Sequence, residues 1–162
     1  MKQINPKHTD ALKQLINNSP YFKLLSMQVC EIGPGCSTVK VDMQRKHCNP
    51  FGTIHGGVFF SMIDTAAYLA VYCELDEELG YTTLDLSVSN LANIHEGKII
   101  VEGKSIKIGK SICLAEAIAR DAHGRLLAHG TSKLMTLNER QTLGTAIETM
   151  EYESLPPKFI IN

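Results

Sequence analysis

The chain has 162 residues, 44% of them hydrophobic, which is typical of one globular domain with a single core. Its 16 basic and 17 acidic residues give a formal net charge of -1. This balance excludes a global field that would favour nucleic acid or an anionic membrane surface. The five cysteines are odd in number and never spaced as Cys-x-x-Cys, which argues against a disulfide framework or a zinc site. Residues 1–18 contain no apolar run long enough for a signal peptide or a membrane span. We therefore expect reduced thiols and a cytoplasmic protein.

The first elements in chain order are a short helix and a hairpin. Asn5 followed by Pro6 is typical of a helix start, and apolar residues then recur at helical spacing until residues 17–20 stop the pattern. Two polar–apolar alternating runs follow within residues 27–43, joined by the Gly-Pro-Gly sequence at 33–35. These patterns predict a leading helix and then a β-hairpin.

A long apolar run and then several alternating runs complete the pattern. Residues 56–72 are mostly apolar and contain no proline, which predicts a long, largely buried helix. From Thr82 onward apolar and polar residues alternate, with turn residues at 96–98, 109–111 and 123–125. We therefore predict an α+β fold in which one long helix packs against a curled antiparallel sheet, because this buries the apolar faces of both.

The segment that leads into the long helix is the first candidate for chemistry. Residues 49–57 are rich in glycine and turn residues, and the first N–H groups of a helix lack partners within the helix. The helix dipole adds partial positive charge there, and Gly56 and Gly57 allow a substrate carbonyl to approach the backbone. This arrangement predicts an oxyanion hole. A glycine-rich turn that serves only tight packing remains the alternative.

Asp64 is the second candidate, because it lies in a helix that is otherwise apolar on both sides of it. A buried carboxylate is costly unless it is paired or functional. At about 100° per residue, Asp64 shares one stripe with Gly57, Phe60, Ser61 and Tyr68. The stripe either lines a pocket or is the wet face of a half-exposed helix, and the sequence leaves both possibilities open.

Two polar residues precede the helix. His55 is a possible base, but a histidine just before a helix more often makes N-terminal hydrogen bonds, so we assign it a positioning role. Asn49 offers an amide to a carbonyl oxygen or a water, although asparagine before proline is also ordinary turn chemistry.

The motif N-x5-H-G-G-x6-D, from Asn49 to Asp64, followed by long alternating strands, resembles the phenylacetate-degradation (PaaI-type) branch of the hotdog-fold thioesterases. The resemblance runs from about Ser19 to Thr136. It implies a single hotdog domain over residues 1–138, with 1–18 as the leading helix. Residues 139–162 are then a C-terminal extension, and we expect a surface appendage or a strap across a subunit interface.

The resemblance implies an acyl-CoA thioesterase that acts on a small or medium acyl-CoA, aryl-CoA included. It implies homodimers that pair into homotetramers, in which Asp64 of one subunit faces Gly56 and Asn49 of the other. The Gly56 N–H would polarise the thioester carbonyl, and Asp64 would act as general base or as nucleophile. Thr83 matches a position where relatives carry a hydroxyl that helps to place the water. No metal and no cofactor are implied, apart from the CoA of the substrate.

The resemblance also implies that CoA lies near the turn at 109–111, where Lys107 and Lys110 supply positive charge. Two solvated lysines beside a strand turn are the alternative. Phe60 and Tyr68, one turn either side of Asp64, are candidates to line the acyl end. The predicted substrate-binding set is Gly57, Phe60, Ser61, Tyr68, Lys107, Gly109, Lys110 and Ser111.

Two other functions remain open. The same fold occurs in acyl-thioester dehydratases and hydratases, which use a histidine with a carboxylate. His55 is compatible with that alternative. The spacing from Asn49 to Asp64 favours the hydrolases. A non-catalytic acyl-CoA binder is the second alternative, although no helix-turn-helix or basic arm is present for DNA binding. We expect neither nucleic acid nor membrane as a partner.

Overall fold

The computed structural model describes residues 2–77 and 79–161, apart from the side chains of residues 2 and 161. The helices are α1 (Pro6–Asn17), α2 (Pro20–Leu25), α3 (Gly56–Tyr72) and α4 (Leu143–Thr149). The strands are β1 (Lys2–Ile4), β2 (Met27–Gly33), β3 (Cys36–Asp42), β4 (Gly80–Asn90), β5 (Lys98–Lys107), β6 (Ile112–Asp121), β7 (Leu126–Leu137) and β8 (Phe159–Ile161). Within the described ranges, no helix is long and apolar enough to cross a lipid bilayer.

Six strands form one antiparallel sheet in the order β2-β3-β5-β6-β7-β4, and α3 packs across it. Helix and sheet approach closely at Gly103, where an added Cβ would lie 2.2 Å from the carbonyl oxygen of Ala66. The Ser37 hydroxyl donates to that same oxygen at 2.6 Å. Each large apolar side chain that α3 buries contributes about 1.5–3 kcal/mol. The predicted α+β fold, with a curved antiparallel sheet around a long helix, is confirmed.

The leading helix begins as the sequence predicts. Asn5 is the N-cap of α1, its side chain accepts from the Lys7 N–H at 3.1 Å, and Pro6 occupies the first helical position. The hairpin turn also matches the prediction, because Gly35 adopts a φ of +70° that favours glycine. The short helix α2 was not predicted, since its apolar residues cover less than two turns and leave no readable period.

The C-terminal tail packs against its own chain. Strand β8 pairs antiparallel with β1, and the Asn5 N–H donates to the carbonyl oxygen of Lys158 at 2.9 Å. Leu143 and Leu155 pack on the main core. The sequence predicted neither α4 nor this small second sheet, because three-residue strands are too short to show alternation. The domain boundary at residue 138 stays a prediction.

Candidate active site

The loop before α3 is organised by the side chain of Asn49. Its Oδ1 accepts from the N–H groups of Phe51 (2.9 Å) and Thr53 (3.3 Å). Its Nδ2 donates to the Thr53 hydroxyl at 2.8 Å and to the Ile54 carbonyl oxygen at 3.3 Å. The amide is thus engaged within the loop, so the geometry favours a positioning role, and direct contact of Asn49 with substrate stays a prediction.

His55 is the N-cap of α3. Its Nδ1 accepts from the Gly57 N–H at 2.9 Å, and its carbonyl oxygen accepts from the Val58 N–H at 2.9 Å. These contacts agree with the positioning role expected for His55. Among the residues that the structure describes, the Gly56 N–H has no hydrogen-bond partner. One N–H at the positive end of α3 is therefore left to bind an oxygen anion.

A cleft of about 510 Å³ lies beside Gly56 and is lined in part by Asn49 and Asn90. A Cβ added to Gly56 would lie 2.8 Å from Nδ2 of Asn90, the last residue of β4. Sequence reasoning did not identify Asn90, since nothing in the spacing along the chain connects residue 90 with residue 56. Residue 56 thus has no room for a side chain beside Asn90, and the backbone of Gly56 lines the cleft.

Asp64 lies half-buried near the middle of α3. The Thr83 hydroxyl on β4 donates to Asp64 Oδ1 at 2.8 Å. Burial raises the pKa of Asp64 above its ordinary value, and the Thr83 hydrogen bond offsets part of that rise. Within residues 2–77 and 79–161, the other carboxylate oxygen, Oδ2, has no partner. One oxygen therefore fixes the carboxylate, and the other is available to a water molecule.

The residues of the predicted stripe lie on the less buried face of α3. Gly57 is exposed, Phe60 is 40% exposed, and Ser61 is half-buried. The Ser61 hydroxyl donates to the Gly57 carbonyl oxygen at 2.9 Å and lies 2.6 Å from the Tyr21 hydroxyl of α2. The helical period is thus as the spacing predicts, while the substrate contacts of these residues stay predictions.

Tyr68 is fixed by a reciprocal pair with Tyr81 of β4. Each hydroxyl donates to the carbonyl oxygen of the other residue, at 3.0 and 3.1 Å, and the rings stack 4.0 Å apart. Burial raises the pKa of Tyr68 to about 12, so its hydroxyl keeps its proton. The polar end of Tyr68 is therefore engaged in structure, and only its ring is available to a ligand.

The loop predicted to hold CoA connects β5 and β6. Its Lys110 and Ser111 carbonyl oxygens accept from the Thr136 hydroxyl (2.7 Å) and N–H (3.0 Å). A Cβ at Gly109 would lie 2.4 Å from the Ile112 carbonyl oxygen, so the tight turn requires glycine. The Lys107 and Lys110 side chains are exposed.

This loop lies at the same end of the sheet as Asp64. Thr136, which contacts the loop, pairs with Tyr81, and Tyr81 lies two residues before Thr83 on β4. The structure thus groups Asp64, Thr83 and the loop at one end of the sheet. Gly56 is at the other end, eight residues from Asp64 along α3 and so about 12 Å away along the helix axis. A single chain does not bring the two together.

Comparisons with known proteins address the central part of this site. Residues 51–128, which include Gly56, Asp64 and Thr83, match the model of the thioesterase superfamily. An Archaeoglobus fulgidus protein named "Putative esterase" is 26% identical over 87 residues, which are 54% of this chain and 54% of that protein. The chain therefore spans about half the length of this relative. A Saccharolobus solfataricus protein named "Putative esterase SSO1253" is 28% identical over 117 residues, covering 72% of this chain and 77% of that protein.

A solved structure agrees with the fold over most of the chain. A thioesterase from Haemophilus influenzae superposes with a TM-score of 0.77 at 23% identity, covering 86% of this chain and 97% of that one. Its identity is too low to carry more than the fold. The assignment to the PaaI-type branch stays a prediction. With its curved sheet around a long helix, the chain has the hotdog fold, and its residues 51–128 match the thioesterase superfamily.

Proposed function

We propose that the protein hydrolyses the thioester bond of a small or medium acyl-CoA. The observation that carries the proposal is the state of Asp64: Thr83 holds one carboxylate oxygen, and the other is without a partner among the described residues. Burial raises the pKa of the carboxyl, which makes Asp64 a stronger base than an exposed aspartate. The proposal also rests on its place in a segment that matches the thioesterase superfamily.

In the proposed mechanism, Asp64 removes a proton from a water molecule as the water oxygen attacks the thioester carbon. The Gly56 N–H stabilises the negative charge that develops on the carbonyl oxygen. The C–S bond then breaks, and the proton taken from water passes to the departing CoA sulfur. Direct attack by Asp64, with hydrolysis of the resulting anhydride, remains the second route. Neither route requires a metal ion or a cofactor.

The proposed site needs two copies of the chain, because α3 separates Gly56 from Asp64. Strand β4 is at the edge of the six-stranded sheet and carries the exposed side chain of Leu84. A long edge strand with apolar side chains is a template for pairing with another chain. We therefore place the dimer contact at β4, where each strand pairs antiparallel with its copy.

The pairing register follows from the requirement that Asp64 of one subunit lies close to Gly56 of the other. A two-fold axis close to Ser87 would place Leu86 opposite Val88 of the partner subunit, with both side chains on the helix-facing side of the sheet. The bulge between Thr83 and Asp85 then shifts Thr83 towards Asn90 of the partner subunit. Because Thr83 contacts Asp64, and Asn90 lies next to Gly56, this register would assemble each site from both chains.

Coenzyme A would extend from this site towards residues 107–111. That loop lies at the Asp64 end of the sheet, and its two exposed lysines, Lys107 and Lys110, offer positive charge to the phosphates. The pairing of two dimers into a tetramer stays a prediction.

The test measures the hydrolysis of a panel of acyl-CoAs by the wild type and by Asp64→Asn, with the release of free thiol as the readout. We expect Asp64→Asn to lower kcat by about 10²-fold or more, since it removes a general base. Asp10→Asn is the matched control, because Asp10 is an exposed aspartate of α1, outside the proposed site and the proposed dimer strand, and its ion pair with Lys13 spans 2.9 Å. It should leave turnover unchanged.

Three results would overturn the proposal. Thiol release that survives Asp64→Asn would remove Asp64 from its role. Acyl-CoA binding without thiol release would favour the non-catalytic binder. Water addition to, or loss from, the acyl chain with the thioester intact would favour a hydratase or dehydratase that uses His55.

A further inference from the structure

The tail helix α4 covers an apolar cleft that the catalytic proposal does not use. The cleft has a volume of about 380 Å³ and is bounded by α1, α2, α3 and α4. Ile16, Phe22 and Tyr68 contribute its walls, and Ala146 and Met150 of the tail close it from the other side. A neighbouring cavity of about 140 Å³ shares Tyr68 and Ala146 with it.

The cleft begins next to the proposed catalytic carboxylate. Tyr68 lies one helical turn after Asp64 on the same face of α3. One turn before Asp64, the Ser61 hydroxyl contacts the Tyr21 hydroxyl of α2 at 2.6 Å. Asp64 therefore lies on the open strip of α3 between the α2 contact and the cleft, so a group bound at the carboxylate can extend under α4.

The chemistry of the walls selects an uncharged, apolar ligand. The residues around the larger cleft include no charged side chain. The Tyr68 hydroxyl is occupied by the Tyr81 carbonyl oxygen at 3.0 Å, so Tyr68 offers its ring to the cleft. A volume of about 380 Å³ lies within the range of small-molecule sites. The phosphates of CoA would be left unpaired here, whereas an alkyl chain would be buried.

Helix α4, which forms the roof of the cleft, makes its own contacts with the rest of the chain. Thr142 caps α4, and Leu143 packs on the main core. Beyond the helix, the Tyr152 hydroxyl donates to Gln14 of α1 at 3.4 Å. The segment that matches the thioesterase superfamily ends at residue 128, so the matched segment does not supply this roof.

The geometry points to an acyl subsite under α4, in which Ala146 and Met150 set the length of the linear acyl chain that the enzyme accepts. This inference rests on the proposed thioesterase function. The substrate class is a medium-length, unbranched acyl thioester. Each methylene that enters the cleft should raise kcat/KM about fourfold, which is the burial energy of one CH₂ group expressed as a rate ratio.

The experiment measures kcat/KM for acetyl-, hexanoyl-, decanoyl- and phenylacetyl-CoA with the wild type and Ala146→Phe. We expect the wild type to favour the hexanoyl and decanoyl thioesters over acetyl. Ala146→Phe fills the cleft and should lower the decanoyl-to-acetyl ratio by about tenfold or more. The matched control is Glu148→Phe, which adds the same ring to an exposed position of α4 that does not line the cleft, and it should keep the wild-type ratio.

Met150→Ala keeps the test decisive if Ala146→Phe does not fold. This variant enlarges the cleft and should shift the preference towards decanoyl. An unchanged chain-length profile in the folded variants, with hydrolysis still dependent on Asp64, would overturn the acyl subsite and leave the thioesterase function intact. A wild type that prefers phenylacetyl to every linear chain would also overturn it. The absence of any hydrolysis would instead overturn the proposed function itself.

Discussion

The two ends of α3 use their polar groups in opposite ways. From its N-terminus to its middle, the Gly56 N–H and one oxygen of Asp64 have no partner among the described residues. Towards its C-terminus, the hydroxyls of Tyr68 and Tyr72 are both engaged, Tyr72 with the ring of His8 at 2.6 Å. The same helix therefore presents unused hydrogen-bonding capacity in its first half and satisfied groups towards its C-terminus.

The C-terminal end is closed by a buried polar cluster that includes the tail. His8 Nδ1 donates to the Pro156 carbonyl oxygen, because a carbonyl can only accept. The buried ammonium of Lys158 donates to the Leu75 carbonyl oxygen at 2.7 Å and lies 4.0 Å from the centroid of the Tyr72 ring. A buried charge is tolerated when it is hydrogen-bonded in this way.

This difference divides α3 into a part that we propose for catalysis and a part that stabilises the fold. Buried polar groups are normally satisfied, and those that are not need an explanation. At Gly56 and Asp64 the explanation that we propose is a substrate carbonyl and a water. At Tyr72 and Lys158 the hydrogen bonds and the ring contact join α1, α3 and the tail. Substitutions at the first end should therefore change activity, and those at the second should change stability.

The largest effect is expected from mixing two inactive variants. Gly56→Val adds a side chain that collides with Asn90 beside the Gly56 N–H, and Asp64→Asn removes the base, so each should lose activity alone. In a mixed dimer one site combines both changes, and the other contains intact Asp64 and intact Gly56. Because half of the dimers in an equal mixture are mixed, and each has one intact site, we expect recovery of about one quarter of wild-type activity.

Co-expression with two affinity tags isolates the mixed dimer, in which one of two sites is intact, so the purified dimer should recover about one half of wild-type activity. A mixture of Asp64→Asn with Asp64→Ala is the control, and it should stay inactive. If purified mixed dimers of the first pair also stay inactive, the site is not shared across β4. Ser87→Lys should give the complementary result: it places like charges close together at the axis, so sedimentation should show monomers.

The second effect concerns the satisfied end of α3. Lys158→Ala removes a buried side chain and leaves the Leu75 carbonyl oxygen without its donor. We expect the free energy of unfolding to fall by about 2–4 kcal/mol, with kcat on acetyl-CoA unchanged. Denaturant titration measures this free energy. The control is Lys133→Ala, which breaks an exposed ion pair at 3.4 Å and should lower the free energy of unfolding by less than about 1 kcal/mol. Equal costs for the two variants would contradict a structural role for the cluster.

The elements whose patterns are long were predictable from the sequence. The bounds of α3 follow from the apolar run of residues 56–72, and the cap of α1 follows from Asn5 and Pro6, because these signals are local. The cluster around Lys158 was not predictable. It joins residues 8, 72 and 158, and contacts between such distant positions leave no periodic signal in one sequence.

The candidate site was predictable only in its parts. Asp64 stands out because a carboxylate in an apolar helix needs an explanation, and Gly56 because helix starts bind anions. Their separation of about 12 Å along α3 follows from helix geometry. Whether they act together depends on a second chain. Thr83 came from the family resemblance, and Asn90 from neither source, since only the fold brings β4 beside α3.

The third prediction concerns the hydrogen bond that tunes the base. The Thr83 hydroxyl lowers the pKa of Asp64 against the larger effect of burial. Thr83→Val removes that bond, so the pKa of Asp64 should rise. Because the base must be ionised, the acid limb of kcat/KM should move to higher pH than in the wild type. Thr83→Ser and the neighbouring Thr82→Val should keep the wild-type limb, and an unmoved limb in Thr83→Val would show that another group titrates there.

The smallest expected effect is a gain in the stability of Asp64→Asn, the variant that should lose activity. Burial raises the pKa of Asp64 above its value in the unfolded chain, so ionisation is less favourable in the folded state. Below the unfolded pKa of about 3.9 the carboxyl is neutral in both states, and the cost appears as the pH rises through the folded pKa. Asparagine keeps an oxygen that accepts from Thr83 and never ionises. Denaturant titration of Asp64→Asn should therefore show a higher midpoint than wild type at pH values near 7, with a gain that shrinks on acidification. A lower midpoint at neutral pH would mean that the carboxylate stabilises the fold, and its open oxygen would then need a structural partner in place of a water.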